Sequence, residues 1–150
     1  MASQQAEELL AYINSLLNLF LVNEQNFPSA QGKMRYNPLD FQALRYVSAH
    51  PDCRGAEIAR ALSVAPTTLQ SALDRMIRNG LIERRDHPKD RRGKIHRLTK
   101  EGQSLRQAIL SQDMENMEFL LGALSAEERV EILRMLGKVH RQVESLNNPV

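Results

Sequence analysis

Apolar positions recur at helical spacing along most of this chain. Leu9, Leu10, Ile13, Leu16, Leu17, Phe20 and Leu21 form a wide stripe that predicts a helix over residues 6–26. Pro28 and Gly32 break the pattern, and 33–37 reads as a short turn or extended piece. Pro38 starts a second helix carrying Leu39, Phe41, Ala43, Leu44 and Val47, which stops before Pro51. Asp52-Cys53-Arg54 reads as a link to a third, short helix over 55–62, with Ile58, Ala59 and Leu62 on one face. Ser63-Val64-Ala65 is a tight turn plugged by Val64. Pro66 opens a fourth helix whose Leu69, Ala72, Leu73, Met76 and Ile77 face a core. Asn79-Gly80 ends it, with Gly80 at the left-handed position. Leu81–Arg85 and Lys94–Leu98 read as two strands joined by a turn over 86–93 rich in Pro, Asp and Gly. Thr99 caps a long helix over about 100–124. Ser125 and Glu128 make a capping box that opens a last helix to about Leu146.

Helix, tight turn, helix and hairpin in that order predict a winged helix-turn-helix, which sets one helix in a DNA major groove and a β-ribbon beside it. The fold class expected is mainly α with a small β element, and the winged-helix lobe spans 36–99. Residues 1–35 and 100–150 carry apolar stripes that exceed what a small reader can bury alone, whether they make a helical dimerisation lobe or a helical cap on a monomer.

On the fourth helix, Thr67, Thr68, Gln70, Ser71, Asp74, Arg75 and Arg78 lie opposite the core face. Short hydrogen-bonding groups near the N-terminal end, followed by arginines, suit base edges and phosphates. The DNA-contacting set expected is Thr67, Thr68, Gln70, Ser71, Arg75 and Arg78, with Arg85, Lys89, Asp90, Arg91 and Arg92 of the hairpin. Ala65 stands where a side-chain cap is expected, which costs on the order of 1 kcal/mol and leaves the helix N-terminus open to a phosphate.

The net charge of +2 hides an asymmetry. Residues 54–100 hold 12 Lys+Arg against 5 Asp+Glu, a surplus of +7, while the segments before and after carry −2 and −3. Positive charge gathered on the suspected reader is the footprint of a nucleic-acid partner.

The motif Asn79-Gly80-Leu81-Ile82-Glu83-Arg84, then Asp90-Arg91-Arg92-Gly93, then Leu98-Thr99-Lys100-Glu101-Gly102 resembles the MarR family of bacterial winged-helix repressors closely. The resemblance implies a homodimer on double-stranded DNA, with the outer helices of two subunits intertwined. It also implies a small aromatic or phenolic ligand between reader and helical base. Arg84 matches a family position that pairs with an aromatic carboxylate, and Tyr36 and Tyr46 are candidate walls; a phosphate contact is the alternative for Arg84.

Other chemistry finds little support. Four histidines, at 50, 87, 96 and 140, show no metal-ligand spacing, so no metal is expected. His87 and His96 read as surface or DNA-facing groups of the wing. The sequence holds no Gly-rich phosphate loop, GxSxG elbow or HExxH, so neither catalysis nor a cofactor is expected. Cys53 is the single cysteine; beside Arg54 it is a candidate redox switch, against the plainer reading of a small buried or half-buried thiol. The run 16–22 is interrupted by Asn18 and too short to span a bilayer, and the N-terminus lacks a signal-peptide pattern, so a cytoplasmic protein without a membrane partner is expected. A winged-helix protein-interaction module, its wing meeting an acidic protein, is the alternative of a different class.

Overall fold

The computed structural model describes residues 3–21 and 37–147. Tyr36 and the expected break near Pro28 lie outside the described residues. The elements are α1 (Gln4–Leu21), α2 (Pro38–Ala49), β1 (Cys53–Arg54), α3 (Gly55–Ala61), α4 (Pro66–Arg78), β2 (Ile82–Asp86), β3 (Lys94–Leu98), α5 (Lys100–Leu121) and α6 (Ala126–Asn147). The chain forms two compact units, Met1–Arg106 and Gln107–Val150.

The first unit holds the helix-turn-helix and its hairpin. Asn37 caps α2, its Oδ1 accepting from the Leu39 and Asp40 amides, and Pro38 at the first position has no amide to satisfy. Leu44 and Val47 of α2, Ile58 of α3, Leu69, Leu73 and Met76 of α4, and Leu81 and Ile82 of the following strand region are all fully buried. Each stabilises the unit by roughly 1.5–3 kcal/mol of transfer free energy. Val64 and Ile77 are only half-buried. The turn before α4 is made by Ser63, which takes φ 53, a left-handed conformation unusual for a residue with a Cβ. The Val64 amide then donates back to the Ala59 carbonyl at 3.0 Å.

One expectation fails here. Asp52-Cys53-Arg54 is not a plain link: Cys53 and Arg54 form β1, which pairs with β3 in antiparallel register, Cys53 opposite His96 and Arg54 opposite Ile95. The sheet therefore has three strands in the order β1-β3-β2. Asp52 reaches φ 65 to enter it, and its carboxylate receives the Arg97 guanidinium, Nε at 3.0 Å, from across the sheet. The hairpin itself is as expected, with Ile82 opposite Leu98 and Asp86 opposite Lys94, although β2 begins and ends one residue later than the expected Leu81–Arg85.

Gly80 is at φ 74, as its place after α4 requires. Thr99 does double duty at the start of α5. Its Oγ1 accepts from the Gly102 amide at 3.0 Å and donates to the Gly80 carbonyl at 2.6 Å. The end of α4 and the start of α5 are thereby tied through one hydroxyl.

The second unit contains the remainder of α5 and all of α6. The capping box is formed: the Ser125 amide donates to Glu128 Oε2 at 2.8 Å, and the Glu128 amide to Ser125 Oγ at 3.3 Å. The apolar residues of α6 are exposed, Val130, Leu133, Leu136, Val139 and Val143 among them. In the first unit, Leu9, Leu10, Ile13, Leu16 and Leu17 of α1 are exposed as well. No described helix is long and apolar enough to cross a membrane.

Candidate nucleic-acid interface

The N-terminus of α4 is bare. Ala65 is extended and offers no side-chain cap, and the first helical bond runs from the Leu69 amide to the Ala65 carbonyl. The amides of Thr67 and Thr68 therefore have no carbonyl partner within the helix, as at an anion-binding helix start. Behind them the exposed face continues through Gln70, Ser71, Asp74 and Arg78. Ser71 donates its hydroxyl to the Thr67 carbonyl at 3.2 Å, so toward a partner it offers lone pairs. Arg78 is exposed, and its charge adds to those that hold the Asp74 carboxyl low.

Arg75 does not belong to this face. Its guanidinium grips Asp40 of α2 with two nitrogens, Nη2 to Oδ1 at 2.7 Å and Nε to Oδ2 at 3.3 Å. Asp40 is buried, and this fork is what satisfies it. The hydrogen bond raises the Arg75 pKa above its ordinary value. The arginine expected to read bases instead ties the recognition helix to α2. Arg75→Ala leaves a buried carboxylate without its cation, and the expected cost is ~1–3 kcal/mol of stability, with base preference unchanged. Urea unfolding together with a duplex-selection profile checks both halves.

The wing is built on the β2–β3 hairpin. Asp90, expected at the DNA, is held inside the tip: Oδ2 meets Arg54 at 3.3 Å and Oδ1 accepts the Arg92 amide at 3.1 Å. The Gly93 amide closes the turn on the Asp90 carbonyl at 2.9 Å. Asp90 shapes the tip, and the side chains of Lys89, Arg91 and Arg92 extend from it exposed and without partners among the described residues. Arg85 is paired with Glu83 at 2.7 Å, and Lys94 with Asp86. The free cations of the wing are therefore those of its tip.

His96 corrects the expectation of a surface histidine, being 3% exposed beneath the sheet. Arg84 Nε, which can only donate, meets His96 Nε2 at 3.4 Å, so Nε2 holds the lone pair and Nδ1–H donates to the Cys53 carbonyl at 3.3 Å. Burial lowers the His96 pKa, in keeping with the neutral ring. Arg84 also donates Nη2 to Asp74 of α4 at 2.8 Å. It joins wing to recognition helix, and its charge is already matched.

Tyr46 stacks on His50 with centroids 4.2 Å apart, and Tyr36 lies outside the described residues. A cavity of about 440 Å3 is lined by Val47, Ser48, Pro51, Arg97, Leu98 and Gln103, a set that includes neither Arg84 nor Tyr46. The surroundings of Cys53 do not favour the redox reading. The thiol is buried, and burial pushes its pKa up to about 11, with Glu57 and Asp52 adding to the rise. Such a thiol stays protonated and a poor nucleophile at neutral pH. No group of three or more His, Cys, Asp or Glu among the described residues is placed to hold a metal ion.

Sequence reasoning missed Asp40, Arg54 and Asp74 as supports of the interface. Their partners stand 35, 36 and 10 residues away, and only the fold brings them together. A buried position for Asp40 on the apolar face of α2 was the one available signal.

Comparison with known proteins agrees with this geometry. Residues 36–93 match the sequence pattern of the MarR family. The transcriptional regulator PecS of Dickeya dadantii is 27% identical over 139 residues, 91% of this chain and 84% of PecS. The transcriptional repressor NicR of Pseudomonas putida is 31% identical over 101 residues, 67% of this chain and 64% of NicR. Among solved structures, a MarR family protein from Bacillus stearothermophilus superposes with a TM-score of 0.74 at 26% identity, covering 93% of this chain and 94% of that one. FabT of Streptococcus pneumoniae, solved in complex with DNA, has a TM-score of 0.79 at 22% identity, covering 93% and 98%.

Proposed function

Since this chain belongs to the MarR family and is a DNA-binding transcriptional regulator, we propose that it acts as a cytoplasmic homodimeric repressor on a palindromic operator. Residues 36–99 are the reading lobe, and 1–35 with 100–150 the dimerisation lobe. The observation that carries this reading is the division of labour among charges. Arg75, Arg84, Arg85 and Arg97 are each matched by a carboxylate within the chain, whereas Lys89, Arg91 and Arg92 of the wing tip are exposed and without side-chain partners among the described residues. Cations that the fold does not use are available to phosphate. The exposed apolar faces of α1 and α6 supply the surface on which two copies join.

Each subunit sets α4 in a major groove and its wing tip at the neighbouring minor groove. Two-fold symmetry then requires inverted half-sites about one helical turn, ~10 bp, apart. Selection from a random duplex library tests this: inverted repeats at that spacing are expected, and enriched sites without symmetry would overturn it. Tight selection of any duplex also separates this reading from a protein-interaction module.

The wing makes a separate quantitative expectation. If each Arg92 meets one phosphate, Arg92→Ala removes two contacts per dimer, and the slope of log affinity against log salt shrinks by about 1.8. An unchanged slope means Arg92 does not touch the backbone.

A further inference from the structure

The chemistry of one side-chain pair on the recognition helix goes further than the assignment of that helix to a groove. Gln70 and Asp74 are one turn apart on the exposed face of α4, and Gln70 Nε2 donates to Asp74 Oδ1 at 2.8 Å. The same oxygen receives Arg84 Nη2 from the wing, also at 2.8 Å. Asp74 is thus held from two sides, and the Arg84 hydrogen bond keeps its carboxyl below the usual range and ionised.

An ionised carboxylate only accepts hydrogen bonds, so the group that faces it from Gln70 must be the NH2. The carbonyl Oε1 is therefore the end of the amide that Asp74 does not engage. An unrestrained glutamine rotates its amide freely and meets donors and acceptors alike. This one cannot.

We propose that Gln70 is a specificity-determining residue that reads adenine, and that Asp74, clamped by Arg84, is the positioning residue that fixes its amide. The proposal rests on the DNA-reading role stated above. In the pinned orientation Gln70 presents Oε1 and one remaining Nε2–H side by side. Adenine matches that pair in the major groove, its N6–H2 donating to Oε1 and its N7 accepting from Nε2–H. Guanine presents two acceptors, N7 and O6, and one of them would oppose Oε1. With the amide free to turn, both N–H groups can be directed at guanine and the discrimination weakens. The fixed charge of Asp74 adds to the effect, because it disfavours acceptors nearby.

Duplex selection with the full-length chain, followed by competition between the selected site and single-pair variants, provides the test. The wild type is expected to select adenine at one pair in each half-site. Replacing that A·T by G·C should weaken binding roughly tenfold or more. Gln70→Ala should erase the preference at that pair and leave the others in place. Asp74→Asn, nearly the same shape but able to donate as well as accept, should lower the adenine-over-guanine ratio severalfold at the same pair only. A merely structural role for Asp74 would change affinity for all sites together and leave that ratio intact. If Asp74→Asn does not fold, Asp74→Ala, which removes the amide's anchor, carries the same expectation, and Gln70→Ala tests the reading residue at an exposed position. A wild-type ratio in folded Asp74→Asn or Asp74→Ala overturns the positioning role. A wild-type ratio in Gln70→Ala overturns the whole inference. A wild-type chain that selects a site without adenine at any pair sensitive to Gln70 overturns this inference alone, whereas one that selects no duplex overturns the regulator reading and this with it.

Discussion

A chain ending at Ser125 is expected to lose its operator affinity by ~1000-fold or more, although its recognition helix and wing are untouched. The reason lies in α6. Val130, Leu133, Leu136, Val139 and Val143 recur every three or four residues, and all are at least half exposed, from 50% at Val143 to 70% at Val130. On the proposed reading, a second copy of the chain covers this stripe. Without it two reading lobes are no longer joined, each meets one half-site alone, and binding falls toward its sequence-independent level, typically ~10³-fold or more weaker than specific binding. The mass in solution should halve at the same time. A milder variant, Leu136→Glu, places a charge in the middle of the stripe and should act in the same direction without shortening the chain. A truncated chain that remains a dimer and holds its operator would contradict the assignment of α6.

Gly102→Ala is expected to destabilise the protein by ~3 kcal/mol, at the upper end of what overpacking costs. A Cβ at this position would stand 2.0 Å from the Leu81 carbonyl oxygen and 3.0 Å from its carbon. These are backbone atoms, and the same carbonyl accepts from the Thr99 amide at 3.0 Å. It cannot move without displacing both the exit of α4 and the start of α5. Gly80→Ala is the instructive comparison. Nothing lies within 4 Å of a Cβ there, but φ is +74, so its cost is the backbone strain of about 1–2 kcal/mol. Urea unfolding of the two variants separates a steric cost from a conformational one. A Gly102→Ala protein as stable as the wild type would mean that α5 does not approach Leu81 this closely.

The parts of this fold legible in the sequence are those whose cause is local. Pro66, Gly80, Thr99 and the Ser125–Glu128 box each mark a helix boundary through their own backbone chemistry, and the structure places every one as expected. The apolar spacing of α4 identifies Leu69, Ala72, Leu73 and Met76 as core. Two-residue β1 shows no period to detect, and its existence depends on β3, more than forty residues away. Ser63 carries no sign of its left-handed backbone, since the usual signal is a glycine.

At the site, residue type was legible and commitment was not. A sequence shows that Arg75, Arg84 and Arg92 are cations on a reader. Only the fold shows that Arg75 is spent on buried Asp40 and Arg84 on Asp74, while Arg92 is left to the solvent. Cys53 illustrates the same limit in the other direction. Its neighbour Arg54 suggests an activated thiol, but that guanidinium reaches Asp90 of the wing, and burial governs the sulfur. Long-range pairing decides which charges remain for DNA, and it has no local signature.

The central claim is that two copies of this chain, joined by their outer helices, read one duplex with two recognition helices. The most direct measurement is the mass of the complex formed on a selected duplex, at protein concentrations near the dissociation constant. The account predicts two chains per duplex and protection symmetric about the centre of an inverted repeat. One chain per duplex, or protection confined to one half-site, would contradict it.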